Sequence, residues 1–264
     1  MEPSAGADVE DSPPHDVALP LTGEALPLAG DQLTLVLSLA LPLLLALLFL
    51  LSRRRGARGA KVLLLGPSHS GKTAIFLQLH TGRASPTVTS MQPASAAVAL
   101  KPPGAASAAK SVQLVDAPGS GRLRGQLMAA LPAASALVCV IDGTCLASHA
   151  REAAQLLYDV LTHEAIERAP PPLLVAVNKS ELPGAASPAA ARKQLEAEVS
   201  RVRLARTTMQ DTSERARQLR GIAAGDAGAP FSFEQLDSPV EFVACSAVKS
   251  ELDALIQFIF RHAR

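Results

Sequence analysis

From residue 60 onward, short uninterrupted apolar runs alternate with segments whose apolar residues recur every three or four positions. The runs at 61–65, 96–100, 112–115, 136–142, 173–178 and 240–245 predict strands. The periodic segments predict helices over 73–80, around 123–131, and over 149–168, 188–205 and 251–262. In the last of these Ser250 is the expected N-cap, with Asp253 in a capping-box position and Leu252, Leu255, Ile256 and Ile259 on one face. The run Ala136-Leu137-Val138-Cys139-Val140-Ile141 is apolar on both sides, as a parallel strand covered by helices on two faces requires. The expected fold is therefore α/β, a three-layer domain around a mostly parallel sheet whose ligand sits at the carboxyl ends of the strands.

The amino-terminal part follows a different pattern. Residues 1–32 carry Glu2, Asp8, Glu10, Asp11, Asp16, Glu24 and Asp31 without a Lys or Arg, and are expected to stay disordered. Residues 33–51 are uncharged and dominated by Leu. At a helical rise of about 1.5 Å per residue they reach roughly 28 Å, close to a hydrocarbon core of about 30 Å. They are expected to form one transmembrane helix, kinked at Pro42. A signal peptide needs a basic n-region before its apolar stretch, and this flank is acidic. Residues 52–59 form a basic juxtamembrane linker with Arg53, Arg54, Arg55 and Arg58, which by the positive-inside rule stays cytosolic together with residues 60–264. Within that domain, residues 206–230 hold many charges and few large apolar residues, and read as a flexible insertion.

Composition changes this picture little. Net charge is +1, so no global field draws the chain to nucleic acid, and direct nucleic acid binding is not expected. Aromatic content is 3% with no Trp, so the core must be aliphatic. Cys139, Cys145 and Cys245 show no paired spacing and read as free thiols in a reducing compartment, not as a metal site.

The chemistry lies in the loops. Gly66-Pro67-Ser68-His69-Ser70-Gly71-Lys72-Thr73 matches Gly-x-x-x-x-Gly-Lys-Ser/Thr between a predicted strand and a predicted helix, with Ala74 next in that helix. Such a loop aims several backbone N–H groups at one point, where the helix dipole adds positive potential, and so cradles phosphates. Lys72 is expected on the β- and γ-phosphates and the Thr73 hydroxyl on Mg²⁺. Val112–Val115 leads into Asp116-Ala117-Pro118-Gly119, where Asp116 would reach the metal and the Gly119 N–H the γ-phosphate. Between them, Thr87-Val88-Thr89-Ser90 lies in a loop without periodicity, and Thr89, in preference to Thr87, is the expected third metal ligand.

The strand 173–178 runs into Asn178-Lys179-Ser180-Glu181. Guanine presents two adjacent donors that one carboxylate can accept together, and adenine has no such pair. Glu181 is the expected base reader, with Asn178 fastening neighbouring loops and the Lys179 stem covering the base. Ser246-Ala247, after the last strand, would offer a backbone N–H to the guanine O6.

These motifs, in this order, resemble a Ras-like small GTPase. With the apolar segment, the Asp-x-Pro-Gly switch, the charged insertion and the run Val240-Glu241-Phe242-Val243-Ala244-Cys245-Ser246-Ala247, the chain is similar to the beta subunits of the signal recognition particle receptor. That resemblance implies a P-loop NTPase domain that binds GTP and Mg²⁺ and is anchored in the endoplasmic reticulum membrane, single-pass, with a lumenal N-terminus. It also implies that the GTP-bound form holds the receptor alpha subunit for co-translational protein targeting. Three positions depart from the family pattern. Ser120 stands where a water-orienting Gln or His is expected, so the resemblance implies at most slow intrinsic hydrolysis and assigns no catalytic residue. Glu181 stands in place of Asp, and Val248 in place of a Lys. Arg122 and Arg124 remain candidates for a charge-stabilising arginine. An actively hydrolysing, Arf-like trafficking GTPase is the alternative, and an anchor with a decayed nucleotide site is a third reading.

Overall fold

The computed structural model describes residues 61–83, 85–87, 92–104, 106–210 and 229–263, with Arg122 and residues 207–210 as backbone only. The expected lumenal tail, membrane span and basic linker lie outside the described residues. Among the described residues no helix is long and apolar enough to cross a membrane.

Six strands form one sheet in the order β2-β3-β1-β4-β5-β6. They are β1 Lys61–Leu65, β2 Ala94–Leu100, β3 Lys110–Asp116, β4 Ala134–Asp142, β5 Leu173–Asn178 and β6 Val240–Ala244. All neighbours are parallel except β2, which runs antiparallel to β3 at the edge. The helices are α1 Lys72–Thr81, α2 Arg124–Ala130, α3 Leu146–Leu161, α4 Glu164–Arg168, α5 Pro188–Gln210 and α6 Asp253–His262.

Alternation along the strands divides the core in two. Leu63, Leu65, Leu137, Cys139, Ile141 and Val175 face α2, α3, α4 and α5. Val62, Leu64, Val138, Val140 and Leu174 face α1 and α6, with Ile75, Phe258 and Ile259 among their partners. The sheet is thus the middle layer of three, and the expected α/β architecture holds. Each fully buried aliphatic side chain contributes about 1.5–3 kcal/mol of transfer free energy, which offsets the scarcity of aromatics. Cys139 and Cys245 are buried free thiols, and burial pushes each up to about 12, so they pack as small apolar groups; Cys145 is exposed.

The register positions the site. Leu64 pairs with Asp116, Leu65 with Cys139, Asp142 with Asn178, and Val177 with Ala244. The carboxyl ends of β1, β3, β4, β5 and β6 therefore finish at one edge of the sheet, and the loops that follow them converge.

Most elements shift at their ends by one to three residues, and three differences go further. The predicted helix 149–168 is two helices, because His163 is extended and caps α4, its Nδ1 accepting from the Ala165 N–H at 3.2 Å. The predicted cap at Ser250 is not one: Leu252 is the N-cap of α6 and offers no side-chain bond. Ser246 and Glu251 instead exchange backbone bonds of 3.1 and 2.9 Å, while the Ser250 hydroxyl accepts from Gln78 Nε2 at 2.7 Å. Finally, α5 continues through Gln210, five residues into the predicted insertion; 211–228 lie outside the described residues.

Candidate nucleotide site

The loop after β1 has the backbone that its glycines predict. Gly66 has φ +140°, and a Cβ there would lie 2.1 Å from the Val140 carbonyl oxygen of β4. Gly71 caps α1 with φ +94°, and a Cβ there would lie 2.1 Å from Asn178 Nδ2. Between them, Ser70 is fully buried and the exposed His69 takes φ +62°.

Lys72 is buried and its ammonium folds back along the loop, donating to the Gly66 carbonyl at 3.0 Å and the Pro67 carbonyl at 2.7 Å. Desolvation lowers its pKa below the ordinary lysine value, with Asp116 as the largest opposing influence. A cation held in so dry a place attracts phosphate more strongly than one in water. Beside it the Thr73 hydroxyl donates to Asp116 Oδ2 at 2.7 Å, bringing together two of the expected metal ligands from β3 and α1. Gly119 presses against this loop. A Cβ on it would come within 2.7 Å of the Ser68 nitrogen and 2.8 Å of Lys72 Nζ, so its own backbone is free to approach whatever the loop holds.

The loops after β5 and β6 form the other end. Asn178 is buried and ties three segments together. Its Nδ2 donates to the Ser70 carbonyl at 2.9 Å, and its Oδ1 accepts from the Ala247 N–H at 3.2 Å. That N–H, expected to face a base, is thus engaged with Asn178 here. Ser246 is buried and its hydroxyl accepts from the Lys249 N–H at 3.0 Å. Ser180 donates from both N–H and hydroxyl to the Cys245 carbonyl, at 3.2 and 2.9 Å. Lys179, at φ +65°, sends its ammonium to Asp142. Glu181 has a buried oxygen, Oε2, with no hydrogen-bond partner. A buried unpaired carboxylate oxygen is costly, so it points to a donor that arrives with a ligand.

A cleft of about 550 Å³ joins the two ends. Of the sequence-predicted residues, Ser68, His69, Gly71, Lys72, Thr73, Ala74, Thr87, Gly119, Asn178, Lys179, Glu181 and Ala247 line it. Gly66, Pro67, Ser70, Asp116 and Ser246 are buried around it without lining it. Val88, Thr89 and Ser90 lie outside the described residues. Pro118, Leu182 and Val248 also line the cleft without having been assigned a place in it; the two aliphatics are exposed, Val248 stood out in the sequence only as a departure from Lys, and Leu182 was signalled only by its place beside Glu181. Ser120 does not line the cleft. Arg124 is turned to α3, with Nη1 2.5 Å from Asp159 Oδ2, and does not line the cleft. The Arg122 side chain is outside the described residues. The loop amides, the desolvated Lys72, the Thr73–Asp116 pair and the orphaned Glu181 oxygen together fit a purine nucleoside polyphosphate with a hard divalent cation.

Comparison with known proteins agrees. The family model described as "Signal recognition particle receptor beta subunit" matches residues 57–240. The signal recognition particle receptor subunit beta of Mus musculus is 34% identical over 80% of this chain and 79% of its own length. The Homo sapiens protein of the same name is 34% identical over 78% and 75%. A solved structure of the mammalian signal recognition particle receptor superposes with a TM-score of 0.64 at 31% identity, covering 77% of this chain and 100% of that one. The SRb-GDP-Mg structure from Chaetomium thermophilum superposes with a TM-score of 0.56 at 25% identity, covering 76% and 96%. On these matches, over a fold and a site of the right kind, the chain belongs to the signal recognition particle receptor beta subunit family.

Proposed function

We propose that this chain is the membrane-anchored, GTP-binding subunit of a signal recognition particle receptor, and that its GTP-bound form docks the receptor alpha subunit for co-translational targeting to the endoplasmic reticulum. Residues 33–51 span the membrane once, residues 1–32 are lumenal, and the nucleotide domain is cytosolic. The loop amides of residues 66–73 and Lys72 hold the phosphates; Thr73 and Asp116, with Thr89, hold Mg²⁺. Bound Mg²⁺ neutralises charge on the phosphate oxygens. Glu181 accepts the two guanine donors, and Asn178 keeps the phosphate and base loops in register. Leu182 and Val248 supply apolar contact at the mouth.

The observation that carries this reading is the buried Glu181 oxygen without a partner, on the wall of a cleft whose other end is a phosphate loop. A related solved structure is described with GDP and Mg. Binding is favoured over turnover because Ser120 does not line the cleft and Arg124 is paired elsewhere.

Calorimetric titration of the full chain in detergent tests it. GTP should bind more tightly than ATP by well over about tenfold, since a site built to accept donors rejects a base that lacks them. Lys72→Ala should abolish GTP binding and, with it, capture of the alpha subunit. Equal affinity for the two nucleotides would refute the reading, and capture that survives Lys72→Ala would favour the decayed anchor. Rapid single-turnover hydrolysis without a partner would favour the Arf-like alternative.

A further inference from the structure

Asp142 entered the sequence reading only as the last residue of a strand, and it does not line the cleft. It is nevertheless 3% exposed and pairs across the sheet with Asn178. Its Oδ1 accepts from the Thr144 N–H at 2.9 Å and the Thr144 hydroxyl at 2.7 Å, and its Oδ2 receives the Lys179 ammonium. The carboxylate is thus fixed from its own turn and spends its remaining oxygen on the loop that follows β5.

The same turn grips that loop through its backbone. A Cβ on Gly143 would stand 3.0 Å from Val177 Cγ1 and 3.1 Å from the Asn178 carbonyl oxygen, so β4 and β5 end close enough that a side chain there would be tight. The Gly143 carbonyl accepts from the Ala186 N–H at 2.9 Å, on the far side of the loop. Within the loop, Lys179 holds a left-handed φ of +65°, which a residue with a Cβ adopts at a cost and keeps only when its surroundings over-determine it. Lys179 lines the cleft, and so does Glu181 two residues later.

We propose that Asp142 is a positioning residue that latches the base-reading loop: by pinning the Lys179 ammonium it sets how long a purine nucleotide stays bound. The inference rests on the nucleotide reading above and extends it to the lifetime of the complex. Without the carboxylate, the ammonium turns to solvent, the lysine stem leaves its place on the cleft wall, and the backbone that aims Glu181 relaxes. Among the described residues no hydrogen bond joins Asp142 to the phosphate loop, its partners being Thr144 and Lys179, so capture of the polyphosphate end should be little changed.

The test uses the full chain in detergent with a fluorescent guanosine diphosphate, following association and dissociation by stopped flow. Asp142→Asn should raise the dissociation rate about tenfold, the scale of one charge-assisted hydrogen bond to a partly buried group. Association should stay within about twofold, because encounter is governed by the phosphate end. Displacement by inorganic tripolyphosphate, which has no base, should not weaken. Thr144→Val, which keeps the carboxylate and removes one hydroxyl bond to it, should raise dissociation about threefold, and it carries the test if Asp142→Asn does not fold. In a Lys179→Met background, either substitution should add nothing further. Unchanged dissociation in both variants, or an effect undiminished by Lys179→Met, overturns the latch and leaves the nucleotide site standing. A wild-type chain that binds no guanine nucleotide overturns the nucleotide reading, and the latch with it.

Discussion

Gly71 and Gly125 are both helix-associated glycines, yet Gly→Ala should act on them with opposite sign. At Gly71 the backbone has φ +94°, where an L side chain costs about 1–2 kcal/mol. The new methyl would also stand 2.1 Å from Asn178 Nδ2, so Asn178 must leave. Its departure strands the buried Ser70 carbonyl, which now accepts that nitrogen at 2.9 Å, at about 1–3 kcal/mol. The lower entropy of the unfolded alanine chain offsets about 0.4–1 kcal/mol. The net loss is about 2–4 kcal/mol, or roughly 5–15 °C in Tm for a domain of this size. Gly125, exposed in α2, has nothing within 4 Å of its would-be Cβ, so Gly125→Ala should gain about 0.5–1 kcal/mol, or about 1–4 °C. With no Trp and a single Tyr, intrinsic fluorescence is a poor probe; circular dichroism at the helix band, on nucleotide-free protein, is the assay. If the two variants melt within about 2 °C of one another, the close approach of Gly71 to Asn178 is not what holds these loops together.

Burial alone would raise the Asp142 pKa, but the bonds from Lys179 and Thr144 outweigh it and hold the carboxyl below its ordinary 3.8. A depressed folded-state value contributes stability that is complete above the unfolded value and fades as pH falls through the folded one. The difference in Tm between wild type and Asp142→Asn should therefore be constant from neutral pH down to about 4 and narrow below it; a difference that widens in acid contradicts the pairing. Phe258, fully buried under the sheet on α6 with its ring 4.8 Å from that of His262, should cost about 3–5 kcal/mol when truncated to Ala, read by urea unfolding. A loss below about 1 kcal/mol would mean that α6 packs more loosely than its burial indicates.

Much of the site was legible because its chemistry is written in contiguous residues. A phosphate loop needs its glycines, lysine and threonine at set spacings along one turn, and Gly66 to Thr73 carry that requirement in eight neighbouring letters. The stretch 178–181, proposed to read the base, is equally local. Both-sided apolar runs such as 136–141 were enough to call for a sheet buried between helices, since only that arrangement hides both faces of a strand.

Contacts between distant segments could not be read in this way. Asn178 meets Ser70 across 108 positions, Lys179 meets Asp142 across 37, and Gln78 meets Ser250 across 172. Each depends on which strands are neighbours and in what register, and nothing in a polar residue at a strand end names its partner. The boundaries that differed have the same origin. His163 looked like the interior of one helix until its ring took the Ala165 N–H, and Ser250 looked like a cap until the Ser246–Glu251 bridge claimed the backbone before it. Local pattern sets which elements form and which chemistry each loop can offer. The packed sheet decides which loops meet, because hydrogen-bond partners are assigned by proximity in space and spacing along the chain carries no record of it.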